Sequence, residues 1–152
     1  IYQRDPVEIT VQADQENRPD IVQYSLQVER SEKAEVMAHL LDMGGYERVI
    51  AFCNTKNMTD RLAGLLDMRG ISCAAIHGDD VDAVFNYDVP DENEYYIHRI
   101  GRTGRAKRHG VAFSLVSSVT ESIRLDDIKK ATGSQIRAVH FNDHGDLVAA
   151  KA

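Results

Sequence analysis

The apolar positions of the chain fall into short runs separated by polar punctuation. Val22, Tyr24, Leu26 and Val28 alternate with polar neighbours, the period of a half-buried strand. Ser31 is placed to cap a helix that turns Ala34, Met37, Leu40 and Leu41 inward and stops at Gly44-Gly45. Arg48 to Cys53 (RVIAFC) predicts a short buried strand. Asn54-Thr55 follows as a turn and N-cap, and the next helix carries Met58, Leu62, Leu65 and Leu66 on one face as far as Gly70. Ile71 to Ile76 (ISCAAI) predicts a further strand, with His77-Gly78-Asp79 at its end.

Val81 to Tyr87 (VDAVFNY) is strand-like, Pro90 closes it, and a helix is predicted over Asp91 to Ile100. Gly110 to Val116 (GVAFSLV) predicts another strand, and Ser118 with Glu121 forms a capping box for a helix reaching Gly133. Strands alternating with helices imply an α/β fold, a parallel sheet with helices on both faces. Residues 134–152 are weakly patterned, with a turn at Asn142-Asp143-His144-Gly145, and read as a C-terminal extension of one domain spanning 1–152.

One junction does not fit this pattern. Parallel strands need a crossover of about a dozen residues, yet only His77 to Asp80 separate ISCAAI from VDAVFNY. Either these two strands form an antiparallel hairpin, or a crossover unit is absent.

With 152 residues, 43% of them hydrophobic and 28% charged, the chain is the size of a single domain with its own core. Its formal charge of −6 is not the basic footprint of a stand-alone nucleic-acid binder, so any such contact must be local. The charge is uneven: Asp79, Asp80, Asp82, Asp88, Asp91, Glu92 and Glu94 precede the basic Arg99, Arg102, Arg105, Lys107 and Arg108. Cys53 and Cys73 form no CxxC pair and lie in apolar runs, which favours core thiols over metal ligands and points to a reducing, cytoplasmic compartment. No apolar run approaches the roughly 20 residues that span a bilayer, and no signal peptide is expected at the start.

The densest chemistry is His98-Arg99-Ile100-Gly101-Arg102-Thr103-Gly104-Arg105, three arginines at every third residue with two glycines between them. Arginine presents a rigid fork of donors that matches phosphate oxygens, and glycine lets the backbone approach a ligand closely. Such arginines would stabilise charge developing on a transferring phosphoryl group. A solvated basic loop fits the spacing equally well. The acidic run Asp91 to Glu94 lies at a predicted helix start, where the macrodipole favours carboxylates, and is not read as catalytic.

IHRIGRTGRAKRHG resembles motif VI of the DEAD-box RNA helicases, and NYDVPDENEYYIHRIGRTGR resembles the block leading into it. VIAFCNTK, Val49 to Lys56, resembles motif IV, and AAIHGD, Ala74 to Asp79, the strand and loop after it. The resemblance covers Pro6 to Lys130 and identifies the family's second, C-terminal RecA-like domain. It implies an ATP-dependent unwinding cycle in which two RecA-like domains close around ATP and single-stranded RNA. By motif position it implies that Arg102 and Arg105 contact the γ-phosphate, Arg105 as the finger. His98 and Arg99, with Gly101 and Gly104 between the arginines, would serve coupling between domains and to ATP. Asn54, Thr55 and Gly78 would face the RNA backbone, where small polar groups hold register without reading sequence. Helix capping alone also accounts for Asn54-Thr55. The implied cofactors are ATP and Mg2+, with the metal held mainly by an N-terminal RecA-like domain. The implied partners are RNA and that domain, with no membrane.

The chain departs from the family in two ways. It contains no Gly-x4-Gly-Lys-Ser/Thr loop and no Asp-Glu-Ala-Asp segment, so hydrolysis by this chain alone is not expected. Between the HGD block and the VDAVFNY strand the family places a Gln-x-x-Arg element and a motif V strand and loop, neither of which occurs here. The shortfall of roughly 30 residues is the size of a βαβ increment, and it falls where the crossover is too short. One strand-helix unit is therefore expected to be absent between Asp79 and Val81. Two other functions fit the same residues: a non-catalytic RNA-binding or protein-interaction module, and a two-domain motor acting on DNA.

Overall fold

The computed structural model describes residues 20–73, 81–104 and 109–150. Strand β1 (Asp20–Gln27) leads through a 3-10 turn (Arg30–Glu32) into α1 (Lys33–Gly44). Then come β2 (Val49–Phe52), α2 (Lys56–Asp67), β3 (Ala83–Asn86), α3 (Asn93–Ile100), β4 (His109–Val116) and α4 (Val119–Thr132). The hairpin β5 (Ile136–Phe141) and β6 (Leu147–Ala149) completes the described chain.

These strands form one sheet in the order β2-β3-β4-β1-β5-β6. Every neighbouring pair is parallel except β5 with β6. Because helices cover both faces, the central strands read as continuous apolar runs instead of alternating ones. Ala83, Phe85, Phe113, Leu115 and Leu26 pack with Met37 and Leu40 of α1 and Leu62 and Leu66 of α2. On the other face Val84, Ala112 and Val116 meet Tyr96 and Ile100 of α3 and Leu125 and Ile128 of α4. Full burial of each such side chain contributes about 1.5–3 kcal/mol, and at the sheet centre Phe85 stacks on Phe113 with centroids 5.0 Å apart.

Several boundaries differ from the sequence expectation. Ile71 to Cys73 form no strand, because the Ile71 N–H is used to close the end of α2 on the Leu66 carbonyl at 2.9 Å. Ala74 to Ile76 lie outside the described residues. Strand β3 has a parallel partner on each edge, β2 with Val49 opposite Ala83 and Phe52 opposite Asn86, and β4 with Val111 opposite Ala83, which leaves it no edge for an antiparallel hairpin. Ser31 does not cap α1; it sits within the 3-10 turn, and α1 begins without a side-chain cap. The capping box before α4 is present, since Ser118 Oγ accepts the Glu121 N–H at 3.0 Å. Its return arm is displaced by one residue, Glu121 accepting the Ser117 N–H at 2.8 Å. The segment after Gly133 belongs to the sheet: β5 pairs in parallel with β1, and Asn142 Oδ1 closes the hairpin turn by accepting the N–H groups of His144 and Asp146. Cys73 is exposed and Cys53 half-buried, both free thiols. Among the described residues no helix is long and apolar enough to cross a membrane.

Candidate nucleotide and nucleic-acid site

Helix α3 organises the candidate residues. Tyr96 and Ile100 anchor it to the sheet, and the Tyr96 hydroxyl donates to Gln23 Oε1 at 2.6 Å. Burial pushes that phenol well above its ordinary range, so it remains a donor. At the helix entrance the Arg124 guanidinium holds the Asp91 carbonyl at 2.8 Å and Asn93 Oδ1 at 3.1 Å. This contact fixes the start of α3 at Asn93.

Arg99 reaches back from the last turn of α3 toward the carboxyl ends of β2 and β3. Its fork donates to the Asp88 carbonyl at 2.9 Å, to Asn86 Oδ1 at 3.3 Å and to Asn54 Oδ1 at 2.8 Å. The guanidinium lies over the Phe52 ring, 5.3 Å from its centroid. Burial lowers the Arg99 pKa, the nearby Asp88 carboxylate opposes that shift, and the group stays charged. Asn54 is held three ways, because its N–H also donates to Asp88 Oδ2 at 2.9 Å and its side-chain amide to the Val89 carbonyl at 2.9 Å. The cap of α2 is Thr55, whose Oγ1 accepts the Met58 N–H at 3.1 Å. Asn54 is thus a bridge and Thr55 a cap, two roles that the sequence reading had treated together.

The opposite end of the sheet holds the arginine-bearing turn. Gly101 ends α3, its N–H bonded to the Ile97 carbonyl at 3.0 Å. Thr103 is fully buried and donates to the Val81 carbonyl at 2.5 Å, while the Val81 N–H returns to the Arg102 carbonyl at 3.1 Å. Gly104 turns the chain with φ 68°, which only glycine adopts without strain. Gly110 at the start of β4 lies so close that a Cβ there would meet Gly104 N and Thr103 Oγ1 at 2.5 Å. Arg102 is half-buried and lines a groove of about 660 Å3 with Arg48, Ile50, Leu62, Leu66 and Ile71. His98 is exposed on α3. Arg105 and Gly78 lie outside the described residues.

The sequence reading gave Asn86, Asp88 and Lys33 no part in this network, and gave Glu121 only its capping role. Asn86 is fully buried and donates to Ser114 Oγ at 3.1 Å. The available signal was Lys33, which shares the inward helix face of Met37 and Leu40, four and seven residues later, where an apolar residue is expected. Cys53, half-buried beside Asp88, has its thiol pushed up to about 11, first by burial, and stays protonated. Among the described residues no group of three or more His, Cys, Asp or Glu side chains is placed to hold a metal ion.

The sheet order and the HRIGRTG turn define a RecA-like helicase domain, and residues 79–107 match the family model of the helicase conserved C-terminal domain. The DEAD-box ATP-dependent RNA helicase CshA of Bacillus cereus is 33% identical over 165 residues, taking in 86% of this chain and 31% of that protein. The C-terminal domain of the DEAD-box protein Dbp5 superposes with a TM-score of 0.71 at 27% identity, over 81% of this chain and 92% of that one. Saccharomyces cerevisiae Dbp5 bound to RNA and ADP BeF3 gives a TM-score of 0.73 at 27% identity, over 81% and 42% of the respective chains. The chain belongs to the DEAD-box proteins, as their C-terminal helicase domain. It spans about a third of the length of the curated relative. An alignment of 165 residues is longer than the 152-residue chain, so that relative carries residues without a counterpart here. This excess has the sign expected from the short junction before Val81.

Proposed function

We propose that the chain supplies the arginine-bearing half of an ATP-dependent RNA helicase, active only beside an N-terminal RecA-like domain. The observation that carries this reading is α3: one short helix bonds the Asn54 turn through Arg99 and ends in the turn that bears Arg102. In this reading ATP with its Mg2+ supplies the phosphoryl group transferred to water. The metal and the phosphate-holding lysine belong to the N-terminal domain. Arg102 and Arg105 place fixed positive charge at the γ-phosphate, Arg105 as the finger. Gly101 and Gly104 set the path of the backbone between them, and His98 and Arg99 couple the two domains. Asn54, Thr55 and Gly78 meet the RNA backbone, a reading supported by the relative whose structure holds RNA together with ADP BeF3. Two free cysteines and the absence of CxxC pairs support a cytoplasmic location.

The test is RNA-stimulated ATP hydrolysis by the chain joined to its N-terminal domain. Arg105→Ala is expected to reduce turnover about a thousandfold, the low end for an arginine finger. Near-normal turnover would overturn the assignment. The 152-residue chain alone is expected to hydrolyse no ATP.

A further inference from the structure

The proposed function leaves one buried charge unused. Lys33, at the first position of α1, is 3% exposed. Its ammonium donates to the Tyr87 carbonyl at 2.7 Å, lies 3.4 Å from both Glu121 oxygens and 3.8 Å from Asp88 Oδ1, and sits 5.5 Å from the centre of the Tyr87 ring. Such a charge persists in the interior only because it is paired and hydrogen-bonded.

The three groups around Lys33 converge on one loop. Tyr87, Asp88 and Val89 are the residues by which the chain leaves β3. Glu121 Oε2 accepts the Val89 N–H at 3.3 Å, so α4 holds the far side of the loop that Lys33 holds from α1. Asp88 faces both ways: one oxygen points toward Lys33, and the other accepts the Asn54 N–H at 2.9 Å. Burial alone would raise the Glu121 pKa, but the Ser117 N–H, Lys33 and the Val89 N–H outweigh it and hold the carboxyl below its ordinary range. Glu121 therefore faces Lys33 as an anion at neutral pH, and Asp88 Oδ1 approaches the same ammonium.

We propose that Lys33 is a positioning residue for the Asn54–Thr55 turn, acting through Asp88. With the ammonium in place, the two carboxylates are drawn inward and the Asp88 side chain presents its second oxygen to Asn54. Without it no cation draws the Asp88 carboxylate inward, whether or not Glu121 keeps its charge, and the Asp88 side chain turns toward solvent. The Asn54 N–H then loses its acceptor. The functional part of this inference rests on the reading that the Asn54–Thr55 turn meets RNA; the geometric part does not.

The experiment uses the 152-residue chain with Lys33→Met, which keeps the apolar stem, and with Lys33→Met combined with Glu121→Gln, which also removes the carboxylate left behind. Three quantities are compared: thermal unfolding, hydrogen exchange of the Asn54 amide, and affinity for single-stranded polyuridylate followed at the Thr55 amide. Lys33→Met is expected to lower stability and the double variant to regain most of it. In both variants the Asn54 amide is expected to exchange about tenfold faster than in the native chain, and polyuridylate to bind about fivefold more weakly. Recovery of exchange and affinity together with stability in the double variant would reduce Lys33 to a purely structural role and overturn the proposal. Native-like exchange at Asn54 in either variant would overturn it as well. If the native chain itself shows no affinity for polyuridylate, the RNA reading of this turn falls, and Asn54 exchange alone then decides the role of Lys33.

Discussion

The two ends of the β2-β3 pair are held by different physics. At the carboxyl end, side chains do the holding: Arg99 and Asp88 bind Asn54, and Lys33 and Glu121 bind the loop that carries Asp88. At the amino end main-chain groups take the larger part: the Val81 N–H donates to the Arg102 carbonyl, the Val81 carbonyl accepts the Thr103 hydroxyl, the Glu47 and Arg48 N–H groups meet the Asp82 carboxylate, and Gly110 approaches Gly104 closely. A side-chain network specifies which residues must be present and tolerates little change of chemistry. A backbone cross-tie mainly specifies which residues must be small. The proposed RNA-facing turn therefore depends on charge and hydrogen-bond geometry, whereas the proposed phosphate-facing turn depends on space.

The largest expected effect is at the space-limited end. Gly110→Ala puts a methyl group 2.5 Å from the Gly104 backbone N and from Thr103 Oγ1, a buried hydroxyl that cannot move without breaking its bond to the Val81 carbonyl. A loss of about 3 kcal/mol is expected in urea unfolding, the upper range for overpacking. A change within the scatter of surface substitutions would show that the amino-end turn yields easily and that the contrast is false.

Arg99→Lys tests the opposite end. The charge is kept, but an ammonium cannot reproduce a planar fork that serves Asn54, Asn86 and the Asp88 carbonyl at once. The unmet acceptors are expected to cost about 2 kcal/mol. A lysine that preserves both stability and the slow exchange of the Asn54 amide would mean that charge alone holds this end.

Glu121→Gln sharpens the electrostatic part. Because the folded-state pKa is lowered, the carboxylate contributes stability above the ordinary carboxylate value, and that stability is lost as pH falls through the lowered value. The native chain is expected to exceed the variant by about 1.5 kcal/mol near neutrality. The gap should close on acidification below about pH 4. A pH-independent gap would assign the effect to packing.

The same contrast explains what the sequence disclosed. The backbone-held end is written locally: Gly101, Thr103 and Gly104 lie within four consecutive residues between the arginines, so its path was legible before its neighbours were known. The side-chain network is scattered over Lys33, Asn54, Asn86, Asp88, Arg99 and Glu121, which no local period connects. Only Lys33 on an apolar helix face signalled it. Likewise β4 was legible as a long apolar run, whereas Ile71 to Cys73 looked like a strand because helix termination by the Ile71 N–H leaves no mark on hydrophobicity. The β5-β6 hairpin was obscured because most of its positions stay at least partly exposed, leaving only Ile136 and Val139 as core signals.

Thr55 is where the two principles meet, and the smallest effect is expected there. Its hydroxyl caps α2, and its carbonyl accepts from the Thr59 hydroxyl at 3.0 Å, so its backbone and side chain are both engaged. Thr55→Ala is expected to cost about 1 kcal/mol, the ordinary value of an N-cap, and Thr55→Ser almost nothing. The informative comparison is with polyuridylate binding. Capping lies on the helix side of the turn, and the Asn54 bonds lie on the loop side, so loss of the cap should loosen α2 while leaving the Asn54 amide protected. If Thr55 also meets RNA, the alanine variant binds more weakly even though Asn54 exchange is unchanged, and the serine variant binds normally. Equal binding by all three chains would leave Thr55 as a cap alone and confine the RNA contact to the side-chain network behind it.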